Sequence, residues 1–206
     1  MTHPADLQAQ WLRAWRLPGA DAPEEALFGQ LLARYSEPQR RYHTLQHLGE
    51  CLAWFERAQS TAERPAEVAL ALWFHDAIYD VHAHDNESRS ADWAREALRA
   101  AHAPDGVADR VHALVMATRH DAVPQGADAA LMVDIDLSIL GAPPARFAEY
   151  ERQIRAEYAH VPPAVFEPRR RDILRRFLDR QPLYATPGLR AACEAQARVN
   201  LRGALA

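Results

Sequence analysis

Residues 65–80 read PAEVALALWFHDAIYD and contain the longest purely apolar run of the chain, from Val68 to Phe74. Proline favours the first turn of a helix, and the residues that follow Pro65 are apolar on almost every side of that helix. A helix without a polar face is expected to run through a protein core. The stretch therefore predicts a buried helix that leads into two adjacent ionisable residues, His75 and Asp76.

The rest of the chain predicts further helices and almost no strands. Alanine, leucine, arginine and glutamate dominate, and apolar residues recur at helical spacing between breaks. These breaks fall near residues 18, 38, 65, 84, 104, 125, 142, 162 and 187. We predict an all-α fold of about nine helices. Because no break is long enough to be a linker, we expect one domain over residues 1–206, with a motif-bearing core at about 35–140 and C-terminal helices at about 143–204.

The composition excludes several function classes. The 24 basic and 28 acidic residues leave a net charge of −4, which gives no reason to expect nucleic acid or an anionic membrane as a partner. Every basic residue is arginine, so a Schiff-base lysine, a phosphate-loop lysine and a lysine general base are excluded. The eight glycines are too scattered for a dinucleotide fingerprint, a phosphate-binding loop or a nucleophile elbow.

The two cysteines, Cys51 and Cys193, lie far apart and form no CxxC pair, so neither a disulfide framework nor a thiolate metal site is indicated. Cys51 falls in an apolar helical pattern and is expected in the core. The N-terminus lacks the basic start and apolar run of a signal peptide, and no apolar stretch is long enough to cross a bilayer. We therefore expect a soluble, cytoplasmic protein.

His75 and Asp76 are the first candidate site residues. Burying a carboxylate without a partner costs roughly several kcal/mol of folding free energy. Both side chains therefore need partners where the helix emerges from the core. A metal ion satisfies both residues together. A buried hydrogen bond between histidine and aspartate is the alternative, and the pair alone leaves both open.

A second candidate segment is RRYHTLQHL, residues 40–48. If the segment is helical, His43 and His47 are four residues apart and share one face, so both can point into one site. Position 44 is threonine rather than glutamate, so the HExxH motif of zinc proteases is absent together with its general base.

The third segment, LMVDIDLSIL at residues 131–140, embeds two acids in an apolar run. At roughly 100° per residue, Asp136 falls near the centre of the apolar face and Asp134 falls almost opposite. We therefore expect Asp136 to point inward and Asp134 outward. A buried aspartate again needs a cation or a dense set of hydrogen bonds.

The order of these residues along the chain, His47, then His75-Asp76, then Asp136, resembles the HD-domain superfamily of metal-dependent phosphohydrolases. YHTLQHL is similar to the YHxxxH element of its cyclic-nucleotide phosphodiesterases, and Asp136-Leu137-Ser138 to their DLS segment. HDAIYD resembles the HDxxxD element of other HD hydrolases. Longer stretches, RYHTLQHL, WFHDAIYD, DNESRSA, DIDLSILG, IRAEY and ARVNL, resemble a small bacterial HD family described as predicted phosphohydrolases, over roughly residues 35–201.

The resemblance implies a role for each matching residue. His47, His75, Asp76 and Asp136 would be the four metal ligands. His43 matches the histidine that protonates the leaving group in the phosphodiesterases, and Asp80 matches an acid that some HD hydrolases use beside the bound water. Thr44 departs from the pattern, since the phosphodiesterases have asparagine there, and the chain also lacks their large substrate domain.

A second metal is suggested by the binuclear members of the superfamily, which carry further histidines between the doublet and the last aspartate. His120 resembles one of them, and Glu87 occupies the other position. Glu87 is either a carboxylate ligand or a first-turn residue that complements the helix dipole, and His120 is either a ligand or a surface residue. The remaining internal histidines are assigned to structure or solvent: His82, His84, His102, His112 and His160.

Two histidines and two carboxylates form a nitrogen and oxygen site suited to Mn, Fe, Co, Ni, Zn or Mg, with one or two ions. Phosphate charge would be balanced by the metal and by arginine, with Arg40, Arg41 and Arg119 as candidates. The expected function is hydrolysis of a small phosphorylated molecule, with a nucleotide as the first expectation. A di-iron HD oxygenase and a non-catalytic nucleotide-binding or metal-binding regulator are the alternatives.

Four residues in the family-like stretches either line the pocket or cap helices: Arg155, Tyr158, Arg198 and Asn200.

Overall fold

The structure is a computed structural model, and it describes residues 4–17 and 19–206. Over these ranges the chain forms ten α-helices and no β-strand, which confirms the all-α class. The count exceeds the predicted nine because the nine breaks in the helical pattern separate ten segments, and each segment holds one helix. The HD-type bundle and the single-domain organisation stay predictions.

The helices are α1 Pro4–Ala14, α2 Glu25–Tyr35, α3 Leu45–Ala58, α4 Pro65–Phe74, α5 Asn86–Ala100, α6 Val107–Met116, α7 Ala127–Asp136, α8 Pro144–Glu157, α9 Pro163–Asp179 and α10 Pro187–Leu205. Short 3-10 helices occupy Gln59–Thr61, Ala117–Arg119 and Leu137–Gly141.

Two compact units make up the chain, Met1–Val133 and Asp134–Ala206. In the first unit, α4 is the central element, because α1, α3, α5 and α6 all pack against it. From Val68 to Phe74 its side chains are buried, which confirms that the apolar run lies in the core. A helix that is apolar all round can be stable only if neighbours cover every side of it.

Glu67 is the one charged residue within α4, and it is buried. Arg110 of α6 holds its carboxylate with two hydrogen bonds, from Nε to Oε2 at 2.8 Å and from Nη2 to Oε1 at 2.6 Å. A bidentate pair of this kind satisfies the buried charge and ties α6 to the first turn of α4.

The start of α4 is held by a carboxylate from α7. Asp128 accepts hydrogen bonds from the backbone N–H of Glu63, at 2.7 Å, and of Arg64, at 3.0 Å. Pro65 then occupies the first turn, where its missing N–H costs nothing. These contacts fix the position of α4 at its first residue. They thereby also help to position His75 and Asp76, which follow the helix.

In the second unit, α10 packs against α9 and against the 3-10 helix Leu137–Gly141. The closest approach is at Gly141, where a Cβ atom would lie 2.6 Å from Cys193 Cβ and 2.7 Å from the Cys193 carbonyl oxygen. Only a residue without a side chain fits against this backbone.

None of the helices that the structure describes is both long enough and apolar enough to cross a membrane.

Substituting Gly141→Ala should lower the free energy of unfolding by about 1–3 kcal/mol, because the new methyl group overlaps the backbone of α10. Urea denaturation followed by circular dichroism measures the change. Gly203→Ala, within α10, is the control: apart from its chain neighbours and its own helix backbone, no described atom lies within 4 Å of the position that its new methyl group would take, so helix propensity should make it neutral or stabilising by up to about 1 kcal/mol. Equal effects of the two substitutions would contradict the packing explanation.

Candidate metal centre

His75 directly follows the last residue of α4 and is 1% exposed. Its Nδ1 lies 2.8 Å from the carbonyl oxygen of Leu72. Because a carbonyl can only accept, Nδ1 carries the hydrogen, and the neutral ring then presents a lone pair at Nε2. This is the arrangement in which metal-binding histidines are usually oriented, with the second ring nitrogen donating to a backbone carbonyl.

Three potential ligand atoms from two segments converge at this point. His47 Nε2, on the buried face of α3, lies 3.1 Å from His75 Nε2 and 3.3 Å from Asp76 Oδ2. His75 Nε2 in turn lies 3.1 Å from Asp76 Oδ2. The structure therefore brings together His47, His75 and Asp76, three of the four ligands that the sequence predicts.

The size of this triangle suits a transition-metal ion. With metal–ligand distances of about 2.1 Å, ligand atoms at 90° are about 3.0 Å apart, and atoms at the tetrahedral angle are about 3.4 Å apart. The observed separations of 3.1–3.3 Å fall between these two values. A proton shared among the same three atoms is the other way to satisfy them, and it corresponds to the hydrogen-bond alternative considered above.

The electrostatics of Asp76 favour an anionic ligand. Burial raises the pKa of this carboxyl, but when the imidazoles are protonated the charges of His75 and His43 and hydrogen bonds from His47 and His75 outweigh burial and hold the pKa well below its ordinary value. Asp76 is thus a carboxylate at neutral pH, which is the form that binds a cation.

Cys51 is a neighbour of the site that the sequence reasoning did not assign to it. The residue is buried, as expected, but its Sγ lies 3.7 Å from His47 Nδ1 and 3.8 Å from His47 Nε2. Potential ligand atoms of His47, Cys51 and His75 lie within 4.8 Å of one another. The signal was present in the sequence, because His47 and Cys51 are four residues apart on one helix.

Arg40 has a different role from the predicted contact with phosphate. Its side chain is fully buried, and it donates to the carbonyl oxygens of His43 at 3.1 Å, Asp76 at 2.6 Å and Ala77 at 3.0 Å, as well as to Glu37 at 3.1 Å. Four of the five guanidinium N–H groups are thereby used within the protein. Arg40 fastens the loop before α3 to the loop after α4, and these loops carry His43 and Asp76.

Two tyrosines complete this fastening. Tyr35 is buried; its hydroxyl donates to the Trp73 carbonyl at 3.2 Å and accepts from the Asp76 N–H at 3.3 Å. Burial raises the pKa of Tyr35 to about 12, so the hydroxyl keeps the proton that it donates. The guanidinium of Arg40 lies 5.4 Å from the ring centroid of Tyr35 and 5.7 Å from that of Tyr79, within the range of cation–π attraction.

His43 lies outside the helix in which the sequence placed it. Helix α3 begins at Leu45, and the Thr44 hydroxyl accepts a hydrogen bond from the Gln46 N–H at 3.3 Å as its N-cap. The expectation that His43 and His47 share a helix face is therefore wrong. Their rings are nevertheless only 6.0 Å apart, and His43 is half-buried and stacked on Tyr79 with a centroid distance of 3.9 Å.

Asp80, the predicted partner of a water molecule, is exposed in the loop after α4. One carboxylate oxygen accepts from the His82 N–H at 2.9 Å. Its backbone is held by Asn86, which accepts from the Asp80 N–H at 3.0 Å and donates to the Asp80 carbonyl at 2.9 Å. Asp80 is therefore fixed in a turn, and its role in chemistry stays a prediction.

The expected outward orientation of Asp134 is not observed. Asp134 is 1% exposed and accepts hydrogen bonds from the Ala185 N–H, at 3.0 Å, and from the N–H and hydroxyl of Thr186, both at 2.6 Å. The prediction that it points outward is wrong, and Asp136 is the more exposed of the two, being half-buried. The helical wheel failed because three residues that defined its apolar face, Leu137, Ile139 and Leu140, lie beyond α7 in the tighter 3-10 helix Leu137–Gly141.

Asp134 belongs to the structure of the second unit. Its burial raises the pKa of the carboxyl above the ordinary value, although the bonds from Thr186 and Ala185 act in the opposite direction. Its three donors all come from the turn that begins α10. Asp136, also in this unit by the division of the chain, stays the predicted fourth ligand.

The remaining predicted residues lie at partly or fully exposed positions. Glu87 is half-buried in the first turn of α5, and His120 is half-buried directly after a 3-10 helix, with a φ of 57°. Arg41 is exposed, and so is Arg119, whose Nε lies 3.3 Å from Asp121 Oδ2. Their roles as second-metal ligands and phosphate contacts stay predictions.

Three residues with open roles turn out to bind backbone carbonyls. Arg155 donates to the carbonyls of Tyr158 and Val161, just beyond the end of α8. Arg198 donates to those of Leu178 and Arg180 at the end of α9, and Asn200 to those of Leu140 and Ala142. Of the two interpretations left open, capping of helix ends and turns fits these contacts.

Comparison with protein-family models, curated proteins and solved structures finds no match to this chain.

Substituting Arg40→Met should lower the free energy of unfolding by about 3 kcal/mol, because three buried or partly buried carbonyl oxygens lose a charged donor. Arg41→Met removes the same charge from the neighbouring exposed position and should change stability by no more than about 0.5 kcal/mol. Urea titration of both variants provides the comparison. Similar small effects would show that the contacts of Arg40 contribute little to the fold.

Proposed function

We propose that this chain is a metal-dependent phosphohydrolase of the HD type, acting on a small phosphorylated molecule, with a nucleotide as the first substrate class to test. The observation that carries the proposal is the triangle formed by His47 Nε2, His75 Nε2 and Asp76 Oδ2, with edges of 3.1–3.3 Å. In this triangle the Leu72 carbonyl orients the ring of His75, and Asp76 is anionic.

Asp136 enters the proposal as the fourth ligand from the sequence pattern. Two imidazoles and two carboxylates suit Mn, Fe, Co, Ni or Zn, and also Mg, whereas they do not favour the soft ion Cu(I). A divalent ion held by this set would supply Lewis acidity to a phosphoryl oxygen and to a water molecule, which is the chemistry that phosphate-ester hydrolysis needs near neutral pH. Glu87 and His120 are the residues proposed for a second ion.

Proton transfer is assigned to residues of the two loops beside the triangle. His43 is half-buried and stacked on Tyr79, so its ring has a fixed orientation from which it can donate a proton to the leaving oxygen. Asp80, held in its turn by Asn86, is assigned to orienting the water. Arg40 supports both loops through their backbone, which fixes the separation of these groups from the ligands.

Exposed arginines are assigned to neutralising the charge of the phosphate group, because the chain has no lysine and Arg40 donates to backbone carbonyls. Arg41 and Arg119 are the proposed contacts. An arginine guanidinium matches phosphate oxygens with two parallel hydrogen bonds and stays charged at physiological pH.

Purified protein loaded separately with Mn, Co, Ni and Mg should hydrolyse at least one member of a panel of nucleotides and phosphate esters. Asp76→Asn keeps the shape of the side chain but removes its charge, and we expect it to lower both bound metal and kcat/KM at least about 100-fold. His75→Ala should do the same. Metal content by mass spectrometry and phosphate release are the measurements.

Matched controls come from exposed loop positions. Asp105→Asn and His84→Ala change exposed residues and should leave metal content and turnover unchanged. Bound metal without hydrolysis across the whole panel would contradict the proposal. A spin-coupled di-iron pair in Mössbauer spectra, together with oxygen consumption, would replace it by the oxygenase alternative.

A further inference from the structure

A thiol lies beside the nitrogen and oxygen atoms of the proposed metal centre. Cys51 of α3 is 1% exposed, and its Sγ lies 3.7 Å from His47 Nδ1 and 3.8 Å from His47 Nε2. Potential ligand atoms of His47, Cys51 and His75 all lie within 4.8 Å of one another. Cys51 is therefore not an isolated cysteine, because it adjoins two imidazoles whose Nε2 atoms already meet at 3.1 Å.

The spacing of His47 and Cys51 along α3 favours joint binding of one ion. The two residues are four positions apart, so their side chains lie next to each other on one helix face. With metal–nitrogen and metal–sulfur distances of about 2.1 Å and 2.3 Å, an imidazole nitrogen and a thiolate sulfur at the tetrahedral angle are about 3.6 Å apart. The 3.8 Å between His47 Nε2 and Cys51 Sγ is close to this separation.

The sulfur needs one local movement to face an ion at Nε2. Sγ is almost equally distant from the two ring nitrogens of His47, so it lies beside the ring and not in line with the lone pair at Nε2. Rotation about the Cα–Cβ bond of Cys51 moves the thiol alone and has three staggered positions. The backbone of α3 and the ring of His75, which the Leu72 carbonyl orients, can stay in place.

A sulfur ligand changes which ion the centre prefers. Carboxylate and water oxygens suit Mg²⁺ and Mn²⁺, imidazole suits Zn²⁺ and other transition-metal ions, and thiolate selects the softer ions among them, such as Zn²⁺. A thiolate also adds to the negative charge that Asp76 supplies, and a buried divalent ion is stabilised by anionic ligands that compensate its charge. Both effects favour Zn²⁺ over Mg²⁺ and Mn²⁺.

We propose that Cys51 is a ligand of this centre together with His47 and His75, and that the resident ion is therefore Zn²⁺ rather than Mn²⁺ or Mg²⁺. The thiol proton passes to solvent as the metal–sulfur bond forms. Cys51 acts at the same centre as the proposed hydrolysis, so this ligand role rests on that proposal and narrows the choice of its ion.

The test is the absorption spectrum of the full-length protein loaded with Co²⁺, which replaces Zn²⁺ and reports on its ligands. A thiolate ligand adds a strong near-ultraviolet charge-transfer band, which nitrogen and oxygen ligands do not give. We expect this band in the unaltered protein. Co²⁺ that is bound without the band would overturn the ligand role, and this measurement needs no variant to fold.

Cys51→Ser exchanges the sulfur for an oxygen of similar position. It should remove the band and weaken Zn²⁺ binding at least about 100-fold, while Mn²⁺ binding changes less than about threefold, because Mn²⁺ gains little from sulfur. Cys193→Ser is the matched control: Cys193 is also 1% exposed, but it belongs to the second unit, where it adjoins Gly141, and its substitution should leave the band and the Zn²⁺ affinity unchanged. Circular dichroism checks the fold of both variants. Equal losses of Zn²⁺ and Mn²⁺ affinity in folded Cys51→Ser would contradict the selective role of the thiol.

The outcomes for Cys51 and for hydrolysis can be told apart. Bound Co²⁺ without the band, in protein that hydrolyses a phosphate ester, contradicts the ligand role and leaves the proposed function intact. The band in protein that hydrolyses no member of the panel supports the ligand role and contradicts the proposed function. Failure to bind any of the ions contradicts both.

Discussion

The complete burial of α4 is the constraint on which the first unit depends. Because the helix has no polar face from Val68 to Phe74, it needs apolar neighbours on every side, and α1, α3, α5 and α6 supply them. Ionisable residues can then lie only at its two ends. Glu67 at one end is neutralised by Arg110, whereas His75 and Asp76 at the other end meet His47, so the two ends differ in chemistry.

The end of such a helix creates a second requirement, since its last carbonyl oxygens have no partners within the helix. The structure meets this requirement with side chains: His75 Nδ1 donates to Leu72 and Tyr35 donates to Trp73. Arg40 does the same for Asp76 and Ala77 in the loop after the helix. Two of these donors, His75 and Arg40, also determine the geometry of the candidate site. The same hydrogen bonds therefore satisfy the backbone carbonyl oxygens and position the candidate ligands.

Sequence reasoning succeeded where a single helix or a single doublet was decisive. The all-α class and the core position of α4 follow from apolar patterning, and the meeting of His47 with His75 and Asp76 is what the resemblance to the HD superfamily implies. It failed where helices start or stop. Thr44 caps α3 after His43, and the apolar face assigned to α7 included residues of the 3-10 helix that follows Asp136. A helical wheel assumes one constant rotation per residue and does not register either event.

The N-cap at Thr44 has a consequence for how the loop beside the site can vary. A helix start accepts serine, threonine, aspartate or asparagine at this position and penalises larger apolar residues. These four side chains are all short. The stability of α3 thus favours a short polar side chain directly after His43 in any variant that keeps this helix start.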